Sequence, residues 1–303
     1  MANKLVVVLG ATGHQGGSVV TALLNHGGYS IRGLTRNTES LPAKDLAAKG
    51  VEMVQASLID KSSLVAAFRG AYAKVYAITL PFTGVNEDVM GRNIVDACRA
   101  NNVPLLVLSS LPSSLEVSNG KFNVQLMEEK CRVPAYASEV GQPTVVFYLG
   151  AFCENLLQHM GRSQLQPVSA DRTKWQIFYP IVPASVPQPL SYISADVGPS
   201  ALAVIDRWED PAARERLTKA PIVVCSFMIT GEEMEQTIAR VTGKEVKYVP
   251  IQVPEPMKTM FDFCAEVWYP DELPPPVLKD LGVKFHTFED YVREEVVPFM
   301  AKQ

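Results

Sequence analysis

The chain is sparing with the residues that many kinds of site chemistry demand. Its four histidines, His14, His26, His159 and His286, show no H-x-x-x-H or related spacing, so no metal site is expected. The five cysteines, Cys98, Cys131, Cys153, Cys225 and Cys264, are odd in number, far apart and without a C-x-x-C pair. That pattern fits reduced thiols better than a disulfide framework or a zinc cage. The absence of a G-x-S-x-G elbow argues against nucleophilic hydrolysis. Excess positive charge is missing too: 28 Lys and Arg stand against 32 Asp and Glu, for a net charge of -4. A polyanion would need a clustered basic footprint, so direct nucleic-acid binding is not expected. No run of 18 apolar residues suggests a membrane span. Too little precedes the first apolar run for a secretory signal, so a cytoplasmic or nuclear location is expected.

What is present is a globular composition, 47% hydrophobic over 303 residues, enough for a real core. To about residue 150, short β-branched runs alternate with amphipathic stretches. "KLVVVLG", "YSIRGLT", "VEMVQAS", "AKVYAIT", "PLLVLSS" and "PTVVFYL" read as six strands, with helical patterns between them. Strict alternation implies an α/β fold, a Rossmann-type doubly wound parallel sheet with helices on both faces. Beyond it, proline and aromatic residues crowd into "KWQIFYPIVPASVPQPLSYI". We therefore expect residues 1–152 to form the nucleotide-binding domain and residues 153–303 a smaller C-terminal α/β lobe, with the chain free to cross back between them. In the second half, Asp196 is an N-cap candidate ahead of Pro199. "FEDYVREEVVPFMAKQ" reads as a charged amphipathic helix that Pro298 ends or kinks.

The pattern Gly10-x-x-Gly13-x-x-Gly16 follows the first strand and opens the first helix, the setting that separates a dinucleotide site from a chance match. Gly10 permits the tight turn, Gly13 lets a pyrophosphate approach, and Gly16 lets the helix pack on the strand. Thr12, His14 and Gln15 share this turn, His14 as a phosphate donor or as an exposed turn residue. The end of the second strand selects the dinucleotide. In place of the acidic residue typical of NAD proteins stands Arg36 in "GLTRN", which suits a 2′-phosphate. The expected cofactor is NADP(H), with Arg32 as a helper. Ser57 and Leu58 after the third strand are candidates for the adenine slot.

Ligands collect at the carboxyl ends of parallel strands. This places Thr79, Leu80, Pro81 and Phe82 beside the nicotinamide, with Tyr148 to Phe152 opposite. Phe152 and Asn155 are candidate substrate contacts or packing and cap groups. Trp175, with Phe178 and Tyr179, reads as a substrate lid, a partner-binding patch or plain core.

The segments "VVVLGATGHQGGSV", "LTRN", "GAYAKVYAIT" and "EEKCRVPAYASEVGQPTVVFYLGAFCENL" resemble the NmrA-like family of atypical extended short-chain dehydrogenase/reductase proteins. The resemblance implies a Rossmann domain binding NADP(H) and a C-terminal lobe covering a cleft by the nicotinamide. Catalytic short-chain enzymes use a Ser, a Tyr and a Lys. Ser109 or Ser110 matches the serine neighbourhood and Lys130 the lysine, but Leu126 stands where the tyrosine belongs. The resemblance then implies either of two functions. One is a reductase of a C=O, C=N or C=C bond in a small molecule, with Lys130 as proton donor or ribose holder. The other is a non-catalytic NADP(H) sensor acting through a regulatory protein partner. Lys130 as an ordinary surface lysine is the third reading, and monomer and dimer are both open.

Overall fold

The computed structural model describes residues 4–70, 74–77, 84–158, 161–267 and 272–303. The six expected strands form as β1 (Lys4–Leu9), β2 (Tyr29–Thr35), β3 (Glu52–Gln55), β4 (Lys74–Ala77), β5 (Leu105–Ser110) and β6 (Thr144–Tyr148). Between them lie helices α1 (His14–His26), α2 (Leu41–Ala48), α3 (Lys61–Ala67), α4 (Glu87–Ala100), α5 (Ser114–Val117) and α6 (Gln125–Glu139). The sheet runs β6, β5, β4, β1, β2, β3, and a seventh strand, Ile222–Val223, pairs parallel to β6 at its edge. Strand order reverses between β1 and β4. There the connections leave to opposite sides and open a crevice above the strand ends.

Period-two alternation gives this sheet two cores. Val6 and Val8 of β1 face one side with Val19, Val20 and Leu23 of α1, whereas Val7 and Leu9 face the other with Ile94 and Val95 of α4. The first side is closed by α7 (Gly198–Arg207), a helix from the second half of the sequence. Close approach of α1 and α7 depends on Gly198, where an added Cβ would lie 2.2 Å from the Ser18 carbonyl oxygen. The Ser18 hydroxyl ties the two together, accepting from the Gly198 N–H at 2.9 Å and donating to the Ser194 carbonyl at 3.0 Å. Residues 198–223 thus return to the nucleotide-binding half.

The smaller lobe holds two three-stranded sheets. In one, Lys174–Pro180 pairs with Glu245–Ile251 and Leu165–Pro167, and in the other Gln188–Ser191 lies between Phe227–Ile229 and Ala151–Phe152. Trp175 forms neither lid nor exposed patch. Strand alternation turns it inward with Ile177 and Tyr179, at 2% exposure, and its indole N–H donates to the Arg172 carbonyl at 3.0 Å. Asp196 is no helix cap either. It sits in a π-helical turn, Ile193–Val197, with its buried carboxylate directed at Ser226 and His286. The last helix carries another such turn at Val292–Val296, just before Pro298. Proline lacks an N–H and crowds the carbonyl four residues back, and the widened turn relieves both.

Candidate dinucleotide and active site

The glycine turn leaves β1 with Gly10 at a φ of 62°, a backbone that L side chains rarely adopt. The turn is closed by the Gly13 N–H donating to the Gly10 carbonyl at 2.9 Å. At Gly16 a Cβ would lie 2.2 Å from the Gly10 oxygen and 2.7 Å from that of Leu9, so only glycine lets α1 sit this close to the turn. Gly13 caps α1 without a side-chain bond, and the positive end of the helix there suits an anion.

A cavity of about 210 Å³ opens beside the turn, lined by Gly10, Thr12, Gly13, Thr35, Arg36 and Leu58 among others. Residues from β1, β2 and the β3–α3 connection therefore meet as the sequence suggests. His14 and Gln15 begin α1 outside this lining. Ser57 is also outside it: its N–H donates to Ser63 Oγ at 3.1 Å, and Ala56 and Leu58 supply the wall. Arg32 is not a second phosphate ligand. Its guanidinium donates to Glu52 at 2.9 Å and to the carbonyls of Ala67 and Arg69, both at 2.8 Å, which closes the C-terminal end of α3. Arg36 is exposed at the cavity rim, and among the described residues its guanidinium has no hydrogen-bond or ion-pair partner.

Lys130 is no surface lysine. Its side chain is 15% exposed and its ammonium pairs with Glu87, the first residue of α4, which is 2% exposed. The backbone carrying it is held by Ser110, whose buried hydroxyl donates to the Lys130 carbonyl at 2.9 Å. Ser109 lies half-buried on β5 opposite Phe147. Glu128 anchors the preceding turn. Burial opposes its charge, but bonds from Ser114, the Leu115 N–H and Ser113 hold its carboxyl below the usual range. Leu126 packs in an apolar cluster of Phe122, Val124 and Met127 with Phe263 of the smaller lobe. The position of the missing tyrosine thus borders a cluster in which Phe122 of the first half meets Phe263 of the smaller lobe.

Tyr148 ends β6, half-buried, and burial pushes its hydroxyl up, with Cys131 and Glu116 adding to the effect. Phe152 packs against the core under α1 and α7, and Asn155 lies in the helical turn Cys153–Leu156. Thr79, Leu80, Pro81 and Phe82 lie outside the described residues. Among the described residues no group of three metal-ligating side chains is assembled, and no helix is long and apolar enough to cross a membrane.

Two buried carboxylates escape a reading of the sequence. Glu87 has only the signal of a first-turn acid, common on surface helices. Glu154 accepts from the Ser194 N–H and hydroxyl, both at 2.8 Å, and from the Ile193 N–H at 3.3 Å, pinning the segment after β6 to the π turn before α7. Its glutamate stands in "AFCENL" with no spacing that marks a partner forty residues away.

Sheet order, glycine turn and crevice define a Rossmann-type protein with an appended lobe. More narrowly, the chain belongs to the NmrA-like family, whose model matches residues 2–300. It is 31% identical over 259 residues, 82% of this chain and 76% of the relative, to the NmrA-like family domain-containing oxidoreductase hkm9 of Aspergillus hancockii. Among solved structures it is similar to the negative transcriptional regulator NmrA in complex with NADP, with a TM-score of 0.80 at 20% identity over 100% of this chain and 98% of that one. It is also similar to the Citrobacter sp. triphenylmethane reductase complexed with NADP(H), with a TM-score of 0.73 at 18% identity over 96% and 99%.

Proposed function

We propose that the chain is an NADP(H)-dependent oxidoreductase that reduces a C=O, C=N or C=C bond of a small organic molecule. One observation carries this: a single cavity brings together the glycine turn ahead of α1, whose backbone suits a pyrophosphate, and the exposed guanidinium of Arg36, suited to a 2′-phosphate. The glycines fit that ligand, since the turn presents backbone and no Cβ toward the space above it. Gly10, Thr12 and Gly13 would hold the pyrophosphate, Arg36 the 2′-phosphate, and Ala56 and Leu58 the adenine. Bound NADPH would supply the hydride.

At the reacting end Lys130 is the polar assistant, its ammonium held at a fixed place by Glu87 and its helix turn by Ser110. Leu126 cannot move a proton. A C=N carbon, as in an iminium ion, suits this site particularly well, because hydride transfer to it requires no proton at an oxyanion. Two likenesses support the reading: an Aspergillus relative named an oxidoreductase, and a dye reductase of the same fold solved with NADP(H).

The test is a fluorescence titration with NADPH and NADH, repeated with Arg36→Glu. It is followed by NADPH oxidation against a panel of carbonyls, imines and enones with Lys130→Met as control. Preference for NADPH, lost in the Arg36 variant, and turnover lost in the Lys130 variant are expected. No binding of either nucleotide would overturn the proposal.

Leu126 favours a second reading, a non-catalytic reader of the NADP(H) pool acting through a protein partner. Leu126 packs against an apolar cluster in which Phe122 meets Phe263 of the smaller lobe, and the regulator NmrA shares the fold. A ligand shifts such an equilibrium only through differential affinity. Partner binding that is the same with NADP⁺, NADPH and no nucleotide would exclude it.

A further inference from the structure

The smaller lobe carries an open cavity of about 640 Å³ that shares no lining residue with the cavity at the glycine turn. Its volume lies within the usual range of ligand pockets, about 300–1,000 Å³. Aromatic side chains, Phe227, Phe285 and Phe288, form much of its wall, and His286 is set among them.

His286 is held in an unusually fixed way for a residue 35% exposed. Its Nδ1 lies 2.6 Å from Oδ1 of Asp196, a carboxylate 1% exposed, and its backbone N–H points at both oxygens of that carboxylate at 3.3 Å. The other oxygen of Asp196 accepts from the Ser226 hydroxyl at 2.5 Å, and Ser226 Oγ in turn accepts from the Tyr192 N–H at 2.9 Å. The Tyr192 ring stands edge-on to the imidazole at 5.6 Å. A carboxylate only accepts, so Nδ1 carries a proton and donates. His286 lines the cavity, and among the described residues no protein group is bonded to its opposite nitrogen, Nε2. A buried carboxylate fixing tautomer and orientation is how proteins present an imidazole to a ligand.

The charges around the cavity narrow what that ligand is. Glu233 lines it, and Asp290 and Glu294 act on the imidazole with Asp196, whereas no lysine or arginine is in the described lining. An organic anion would meet repulsion there. We infer that this cavity is a binding site for a neutral aromatic alcohol, whose ring stacks among Phe227, Phe285 and Phe288 and whose hydroxyl bonds Nε2 of His286. Neutral imidazole accepts the hydroxyl proton and imidazolium donates to the hydroxyl oxygen, so a hydroxyl serves either form. The site is independent of the dinucleotide reading.

The experiment uses protein labelled with ¹³C at histidine Cε1, with 2-naphthol as probe and naphthalene, 2-naphthoate and 2-naphthylmethylamine as comparisons. The expected result is a saturable shift of one histidine signal, the one absent from His286→Gln, unchanged by saturating NADPH. Naphthalene, lacking the hydroxyl, should bind about tenfold more weakly, the worth of one hydrogen bond, and 2-naphthoate more weakly still. Thr237→Trp, which fills the cavity from the helix Gly231–Thr242, should abolish the shift while leaving the far-ultraviolet circular dichroism of the protein unchanged. Equal binding by naphthalene, tighter binding by the acid or the amine, competition by NADPH, or an unaltered shift in Thr237→Trp would each overturn the inference.

Discussion

Lys130 on α6 and Glu87 at the start of α4 form an ion pair at 15% and 2% exposure, which ties the two helices together through opposite charges. Removing one member of a buried pair leaves the other charge poorly solvated, at a cost of about 3–5 kcal/mol. Lys130→Met should therefore lower both turnover and stability, whereas Lys130→Met with Glu87→Gln should recover stability without turnover. Thermal melting of the four proteins in the double-mutant cycle checks this, and a strictly additive result would contradict it.

Arg36 differs from its neighbour Arg32 in having no protein partner among the described residues. Arg36→Ala should weaken NADPH binding about 10- to 100-fold, the worth of charge-assisted bonds of about 1.5–3 kcal/mol. NADH binding should change by less than about threefold. Arg32→Ala should instead lower stability with little effect on NADPH selectivity. Equilibrium titration together with melting separates the two residues.

At Gly16 an added Cβ has nowhere to go, since the atoms it would strike at 2.2 Å and 2.7 Å are backbone. Gly16→Ala should displace α1 from the turn, costing about 1–3 kcal/mol or more and abolishing measurable nucleotide binding. Gly17→Ala is the control, because its Cβ would be 3.6 Å from the Ala11 oxygen, an ordinary contact.

The pH dependence of stability should carry the mark of His286. Burial lowers its pKa, but the bond and charge of Asp196, with Glu294 and Asp290, win and raise it above the usual 6.5. A raised folded value means that the stabilisation is fully present below about pH 6.5 and is lost as pH rises through the folded value. Asp196 is raised above 3.8, first by burial and against the bonds from Ser226 and His286. Its own contribution fades as pH rises from 3.8 through its raised folded value. The stability difference between the native protein and His286→Gln, from urea midpoints, should thus be larger at pH 6 than at pH 9. A constant difference would show that the imidazole charge contributes nothing.

Trp175 provides the test of a core role against a site role. Trp175→Ala should cost about 3–5 kcal/mol as a large cavity in the smaller lobe. NADPH affinity, measured at a temperature where the variant is folded, should remain within about twofold. A selective loss of ligand binding without loss of stability would return Trp175 to the site.

Much of the nucleotide-binding half is legible in the residues because its signals are local. A strand announces itself by β-branched runs, the glycine turn by spacing, and the cationic rim of the cavity by Arg36 at the end of β2. The partners of charged side chains are another matter. Arg32 and Arg36 look alike in "IRGLTR", and only the approach of Glu52 and the last carbonyls of α3 engages one and leaves the other at the rim. Glu87 reads as an ordinary first-turn acid until α4 packs on α6. That contact is so close that a Cβ at Gly91 would lie 2.2 Å from Val133.

By itself the sequence determined the alternating strands and helices, the turn that follows β1 and the absence of a tyrosine above Lys130. All of these depend on spacings of a few residues, where backbone geometry leaves little choice. Tertiary structure alone decided that α7 and Ile222–Val223 return to the first sheet, that Trp175 is core, and that Asp196 meets a histidine 90 residues away rather than capping its own helix. Those outcomes turn on which surfaces fit together once the layers are stacked. The free energy of such a fit belongs to pairs of distant segments, and neither segment shows it alone.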